Sequence, residues 1–600
     1  MAWQVSRLSS ASEKRLKLPR LKHSRDFLGR SIIFNGELER SLPLVSKREQ
    51  QDSATLVSKK DVGYFTSPAL SWLTFKSKAL LSSPPFLPNE QAFHFASTGR
   101  LFRESLGYPW TNGTSLGSNA WSAAQSLFKK PIKTFAPANR STSGHVQRIH
   151  DFPILSDELR EKAMANVLNT EDGQFIYSGM STSELLFTLF NLKLVAHEPL
   201  VVLSTRLLKS PLMNFAWYRR PLLSVVKRTA YSHFCAGEDV AEASQTIQRM
   251  WELGLKSILD YSLEDATDNA SCDSNLKGFL QTVDRAKQFP RDLVSFSCVK
   301  LTALCPLPLL ERISSLLRWQ HMHPDVNLPW REDVLPFLVD ESPLYHVTSQ
   351  PEPLTQDEER DLDMAKNRLW KLCKACDVAG LPLLVDAEYT TVQPAIDYFT
   401  YLAAAEFNRN DVPLVYGTIQ AYLKDSFPRL STAAKEAAKR QINFGVKLVR
   451  GAYISRESAL AASLGAESPI HSSIGKTHKC YDSCAAFMMQ HAANAQGSVV
   501  LATHNFNSGR AAAAQAENLG LLRGNPRLQF AQLKGMADAL SLALAHAGFR
   551  VSKYLPFGPV DHVVPYLLRR AEENRGLLGN TGSDCFRIRK EIKRRLLLQL

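Results

Sequence analysis

The chain has 600 residues, 44% of them apolar and 22% charged, a globular composition with length for one large domain plus extras or for two to three ordinary ones. With 29 glycines and no uninterrupted apolar stretch long enough to span a bilayer, the sequence argues against collagen-like and membrane-spanning classes. Lys plus Arg exceed Asp plus Glu, 72 against 58, a balance of +14 that suits nucleic acid, an anionic membrane surface, acidic substrates or an import signal without choosing among them.

Residues 1–140 are rich in Ser, Pro, Lys and Arg, carry turn clusters such as Ser82-Ser83-Pro84-Pro85, and read as a low-order basic region. Their first 35 or so residues hold Arg7, Lys14, Arg15, Lys17, Arg20, Lys22, Arg25 and Arg30 against Glu13 and Asp26. This is the charge pattern of an organelle transit peptide; a basic solvated tail is the competing reading. Residues 141–256 form an N-terminal helical region. There, Leu185 to Leu203 is interrupted by Asn191, Lys193, His197 and Glu198 and predicts one amphipathic helix. A second helix is expected over Val240–Leu255, where Val240, Ala243, Ile247 and Met250 recur at helical spacing. The nine cysteines scatter without a disulfide framework, which favours a reducing compartment. Cys373 and Cys376 make a lone C-x-x-C on an expected helix, better read as core than as a zinc or redox site.

Beyond this region short β-branched runs alternate with helical segments over 257–600. The runs are Ser257–Tyr261, Val294–Thr302, Pro382–Asp386, Pro413–Ile419, Gly445–Val449, Val499–Ala502, Leu528–Gln532 and Val551–Tyr554. Eight such units predict an α/β fold, a (βα)8 barrel of parallel strands with helices outside, against a doubly wound open sheet as the alternative. Polar residues sit where strands end, which in such barrels is where chemistry is held. Lys300 closes the second run, Asp386 and Glu388 the third, and Gln420 and Tyr422 the fourth. The fifth passes through Lys447 and Arg450 into Gly451-Ala452-Tyr453; the last three end at Thr503-His504-Asn505, Gln532 and Tyr554.

After the eighth run, Tyr566-Leu567-Leu568-Arg569-Arg570 lies on an expected helix over the barrel mouth, with Glu573 on the same face as the arginines. A guanidinium pairs bidentately with a carboxylate, so Arg569 and Arg570, joined by Lys300, make a clamp for a small anionic substrate. No G-x-G-x-x-G follows a strand, no P-loop motif occurs, and metal-ligand spacing is missing. A cofactor of another kind in the barrel mouth fits Lys447, Arg450 and His504, which generic physics does not name. A Schiff-base aldolase using Lys300 or Lys447 stays open at this point. Cations outside the N-terminal region are dispersed among strand ends and helices, which argues against a nucleic-acid-binding face.

Seven segments resemble, in order, the signatures of the proline dehydrogenase (proline oxidase) family. They are Val299-Lys300-Leu301-Thr302-Ala303-Leu304, Val385-Asp386-Ala387-Glu388, Ile419-Gln420-Ala421-Tyr422-Leu423-Lys424, Lys447-Leu448-Val449-Arg450-Gly451-Ala452-Tyr453, Ala502-Thr503-His504-Asn505, Lys553-Tyr554-Leu555-Pro556-Phe557-Gly558 and Tyr566-Leu567-Leu568-Arg569-Arg570. Phe234-Cys235-Ala236-Gly237-Glu238 resembles a segment of its plant-like mitochondrial branch. The resemblance implies an FAD-dependent barrel that oxidises L-proline to 1-pyrroline-5-carboxylate, the first step of proline catabolism. It also implies a mitochondrial location in the matrix or on the inner membrane surface, a quinone acceptor and peripheral contact with that membrane. Lys300, Asp386, Tyr554, Arg569 and Arg570 would then be the catalytic set. Arg569, Arg570 and Lys300 would hold the proline carboxylate, with Tyr554, Tyr566 and Leu448 shaping the ring pocket. Gln420, Lys447, Val449, Gly451, Ala452, Tyr453, Thr503, His504, Asn505, Gln532 and Glu573 would line the flavin. Hydroxyproline oxidation on the same scaffold is the nearest alternative.

Overall fold

The computed structural model describes Leu168, 172–290, 292–576 and 578–598, without the side chains of 572–581. The expected low-order region and presequence over 1–140 lie outside the described residues, as does the side chain of Glu573. Eight strands form the centre: β1 (Lys256–Tyr261), β2 (Val294–Val299), β3 (Leu383–Val385), β4 (Val415–Gln420), β5 (Phe444–Val449), β6 (Gly497–Ala502), β7 (Leu528–Leu533) and β8 (Val551–Phe557). Each pairs in parallel with the next, and β1 pairs with β8 as well as with β2, so the sheet closes and the open-sheet alternative is excluded.

Strand periodicity explains the two layers. On β5, Phe444, Val446 and Leu448 join the large core between barrel and helices, together with Val499 and Leu501 of β6 and Ile419 of β4. The intervening positions point inward. Inside, Ile258, Phe296, Cys298, Leu384, Tyr416, Val500 and Ala531 pack into a plug, with the rings of Phe296 and Tyr416 edge-on at 5.2 Å. Apolar side chains therefore fill the lower barrel and leave the polar residues to its C-terminal end.

Helices from Gly173 to Glu252 precede β1. Asp239 caps the helix Val240–Glu252, its Oδ1 accepting from the Glu242 N–H at 2.8 Å. The single helix expected over Leu185–Leu203 is instead two, Thr182–Ala196 and Glu198–Leu208, bent by 78° at the break. The cause is Pro199, in the first turn of the second helix: it lacks the N–H that would continue the first. No single described helix is long and apolar enough to cross a membrane.

The helix Val560–Gly576 follows β8, packs on Thr182–Ala196 and Glu198–Leu208, and brings Arg569 and Arg570 to the barrel's C-terminal end. The segment around Phe234–Glu238 fastens this junction. The Ala236 N–H donates to the Pro556 carbonyl at 2.8 Å, the Gly558 N–H to the Gly237 carbonyl at 3.0 Å, and the Tyr231 hydroxyl to the Gly558 carbonyl at 2.7 Å. Its role is thus to hold the exit of β8. Cys373 and Cys376 are buried in the main core, where burial pushes the Cys376 thiol up to about 12; both behave as apolar filler.

Candidate active site

Inward-facing positions on β1, β2, β3, β5 and β8 and at their ends place Asp260, Lys300, Asp386, Lys447 and Tyr554 together above the apolar plug, with Cys298 of the plug 3.5 Å from the Tyr554 hydroxyl. Asp386 is their hub. Lys447 forms an ion pair with its Oδ1, the Tyr554 hydroxyl donates to its Oδ2 at 2.7 Å, and Lys300 Nζ stands 3.5 Å from the same oxygen. Lys300 also reaches Asp260 Oδ1 at 3.4 Å, and the Ser262 hydroxyl donates to the other Asp260 oxygen at 2.8 Å. Burial opposes the charges on Asp386, Lys300 and Lys447, so mutual pairing decides. Lys447 and Lys300 hold the Asp386 carboxyl well below the usual range, and Asp260, Asp386 and Glu264 hold the Lys300 ammonium well above its own. Burial and Asp386 act on Lys447 in the same opposed way, with the pairing winning.

Pairing thus holds Asp386, Lys300 and Lys447 in their charged forms, with the Asp260 carboxyl beside Lys300. A Schiff base needs an unprotonated amine, and neither Lys300 nor Lys447 offers one, so the aldolase reading loses its nucleophile. Asp260, Cys298 and Asp386 bring their ligand atoms within 4.8 Å of one another. The positive charge such a group attracts is already supplied by the two ammonium groups.

Above this set sits the paired-arginine turn. Arg569 binds Glu264 bidentately, Nη1 to Oε1 at 2.7 Å and Nη2 to Oε2 at 2.9 Å, and its guanidinium lies 5.8 Å from the Tyr453 ring centre. Arg570 is buried, with its guanidinium 5.1 Å over the ring of Tyr566, one helical turn earlier. Tyr566 itself packs with Val563, Leu567 and Tyr231. Both guanidiniums therefore sit against the barrel end and not in bulk solvent. Glu264 feels the charges of Arg569, Lys300 and Asp386, which ties the helix to the interior.

The strand ends opposite carry a second polar group. Burial and Arg570 push His504 down to about 3, so the ring is neutral. Its Nε2 accepts from the Leu533 N–H at 3.1 Å, which leaves the proton on Nδ1 as a donor. Arg450 is fixed by donating to His478 Nδ1 at 3.0 Å, Thr503 Oγ1 at 2.5 Å and the Ser508 hydroxyl at 2.8 Å. Asn505 caps the helix Phe506–Asn518, its side chain accepting from the Ser508 N–H. Gln420 Nε2 donates to the Glu388 carbonyl at 2.8 Å. Gly451 takes φ +126°, and a Cβ there would lie 2.4 Å from the Tyr422 ring, so only glycine lets β5 turn into Ala452-Tyr453. Val449, the last residue of β5, and Ala452 are both partly exposed at this rim.

Two expected residues face elsewhere. Leu448 is fully buried in the outer core, because Lys447 and Val449 take the inward positions and the residue between them must face the helices; it does not shape an interior pocket. Gln532 also lies on the outer side of its strand, where its Oε1 accepts from the Ser541 hydroxyl at 2.9 Å and its Nε2 reaches the Thr503 carbonyl at 3.3 Å. It braces the β6–β7 exit from behind. The sequence reading missed Asp260 and Glu264. Their signal was the same one used elsewhere: charged residues at a strand end, Asp260 near the end of β1 and Glu264 four residues on.

The chain matches a family model described as proline dehydrogenase over residues 243–582. It is 47% identical over 433 residues to proline dehydrogenase 1, mitochondrial, of Arabidopsis thaliana, covering 72% of this chain and 87% of that protein. It is 33% identical over 450 residues to hydroxyproline dehydrogenase of Homo sapiens, covering 72% and 94%. Proline utilization A of Bdellovibrio bacteriovorus aligns with a TM-score of 0.47 at 19% identity, over 70% of this chain and 40% of that one. The ordered motifs, the closed barrel that carries their side chains to one end, and this identity along most of both sequences place the chain in the proline dehydrogenase family.

Proposed function

We propose that the protein oxidises L-proline to 1-pyrroline-5-carboxylate in the mitochondrion, using FAD and passing electrons to a membrane quinone. The observation that carries the reading is the stacking of two charge layers in one barrel end: buried Arg570 and Glu264-bound Arg569 on the helix after β8, above the paired Asp386, Lys300 and Lys447. An incoming carboxylate then meets Arg570 directly, takes Arg569 by displacing Glu264 from its guanidinium, and has Lys300 beneath them. The substrate ring lies against Tyr554, whose hydroxyl is oriented by Asp386, and beside the Tyr566 face.

The strand ends from β4 to β6 suit a flavin by their donor chemistry. His504 presents Nδ1–H, Lys447 supplies a positive charge within the barrel, and the Gly451-Ala452-Tyr453 turn brings backbone to the rim. Val449, Thr503, Asn505 and Gln420 complete that wall, with Gln532 behind it. A flavin held there by His504, Lys447 and the Gly451-Ala452-Tyr453 turn would supply hydride-accepting chemistry for the ring carbon next to nitrogen. The chain's part is positioning: clamping the carboxylate and packing the ring turns an encounter into a near-attack geometry. The interior acids are engaged: Asp386 by Lys447 and Tyr554, Asp260 by Lys300 and Ser262, and Glu264 by Arg569, while burial pushes Glu388 up to about 8, protonated at neutral pH. The substrate amine must therefore lose its proton to water.

The purified protein should show an oxidised flavin spectrum that bleaches with L-proline under anaerobic conditions. A colourless protein that reduces no dye with L-proline contradicts the reading. The 33% identity to a hydroxyproline dehydrogenase makes hydroxyproline the comparison substrate in that dye assay. Tyr554 occupies the barrel mouth and favours the unsubstituted ring, so turnover with L-proline should exceed that with hydroxyproline.

A further inference from the structure

We propose that the helical hairpin from Glu198 to Arg228 is a docking surface for an anionic phospholipid membrane. The hairpin consists of the helix Glu198–Leu208, a short turn at Pro211–Asn214, the helix Ala216–Val226 and the start of the turn that follows. It touches the fold narrowly. Val201 is the buried residue of its first helix, none is buried in the second, and Leu223 and Val226 rest on the cluster containing Val563 and Tyr566.

What faces outward is apolar and basic together. Leu200, Leu203, Leu212, Phe215, Trp217 and Val225 are all exposed, Trp217 by 70% and Phe215 by 55%. Six Lys or Arg stand against the single acid Glu198 between 198 and 228, and Arg206, Lys209, Arg219, Arg220 and Arg228 are exposed. Large apolar side chains concentrated on one element mark an interaction surface. Apolar residues interleaved with cations are the composition of helices that lie in a bilayer interface, where Trp and Phe enter the headgroup boundary and Lys and Arg pair with phosphates.

Charge selects this occupant over others. A second copy of the hairpin, or the strongly basic first 35 residues of this chain, would bring like charge to it. The element lies on the surface and does not span. It is bent by 78° from Thr182–Ala196, which keeps Leu185, Leu192 and Val195 buried in the fold. Because the hairpin rests on Val560–Gly576, docking brings the helix that carries Arg569 and Arg570 next to the lipid phase. The inference rests on the proposed quinone chemistry for its purpose and gives that chemistry a place.

Co-sedimentation of the full chain tests it, with vesicles of phosphatidylcholine alone and of equal parts phosphatidylcholine and phosphatidylglycerol. Wild type should bind the anionic vesicles at least about tenfold more tightly, and added salt should weaken the binding. Phe215→Ser/Trp217→Ser and, separately, Arg219→Gln/Arg220→Gln should each lose about tenfold or more in vesicle binding. Both variants should keep the wild-type melting temperature and dye-coupled proline oxidation in solution. If either folded variant binds vesicles like wild type, or if wild type binds neither vesicle, the proposal is overturned. Sedimentation showing a wild-type dimer that these variants split would overturn it too, assigning the surface to a second copy. Failure of proline oxidation with vesicle binding intact would instead count against the enzymatic reading alone.

Discussion

Asp386 is a carboxylate with three donors and no room to take a proton, so its value lies in geometry. Removing its charge strands the buried Lys447 ammonium and leaves Lys300 with Asp260 as its acid. Asp386→Asn should destabilise the fold by about 3–5 kcal/mol, the usual cost of breaking a buried pair, read as a lowered urea midpoint. An unchanged midpoint would mean that Lys300 and Lys447 find other partners. At the clamp, Arg569→Met or Arg570→Met should cost about 2–5 kcal/mol in kcat/KM for L-proline, roughly 30-fold to several thousandfold. Variants with wild-type proline kinetics would remove the arginines from substrate binding. His504 gives a pH signature. Its folded pKa is depressed to about 3 from the ordinary 6.5, so the unfolded chain binds the proton first as pH falls. The depressed pKa costs nothing above pH 6.5 and destabilises the fold progressively as pH falls toward 3; His504→Gln should flatten the acid side of a stability profile in that window. These side chains were legible in the sequence because a lysine or aspartate in a buried strand stands out against its neighbours. Asp260 escaped because β1 was read for its apolar run alone.

Elements were legible where periodicity was strong. All eight strand runs are found within a few residues of their expected bounds, since β-branched residues flanked by helical pattern leave little choice. Facing was less legible. Leu448 lies within a motif of otherwise inward chemistry, and motif membership says nothing about which side of the strand a residue takes. Alternation does, once Lys447 is known to point inward. Leu448→Ala should therefore behave as a core deletion, costing about 2–5 kcal/mol in stability while leaving the KM for L-proline near wild type. A raised KM with unchanged stability would return Leu448 to the pocket. The break at His197 shows the same limit: charged interruptions were read as the polar face of one helix, while Pro199 imposed a new one. Further along, the Phe234–Glu238 segment carries no reactive group, and its tie to β8 runs through backbone atoms that side-chain patterns do not report.

At the scale of the whole molecule, barrel closure turns separate motifs into one site. Strands β1, β2, β3 and β5 and their ends contribute the interior charged groups, β8 adds the Tyr554 hydroxyl, and the helix after β8 adds the arginines, so residues up to 310 positions apart, Asp260 and Arg570, share one end of the fold. This convergence is what a linear reading can only infer from equivalent positions on repeated units. Under the proposed function, its central consequence is the prediction that the substrate's carboxylate, and not its ring alone, secures binding. An anaerobic titration of the full-length protein, following the visible flavin band, tests this most directly with L-proline and with pyrrolidine, the same ring without the carboxylate. Bleaching should be complete with L-proline, and pyrrolidine should need concentrations higher by on the order of 30-fold to several thousandfold. Equal bleaching by the two compounds would contradict the clamp.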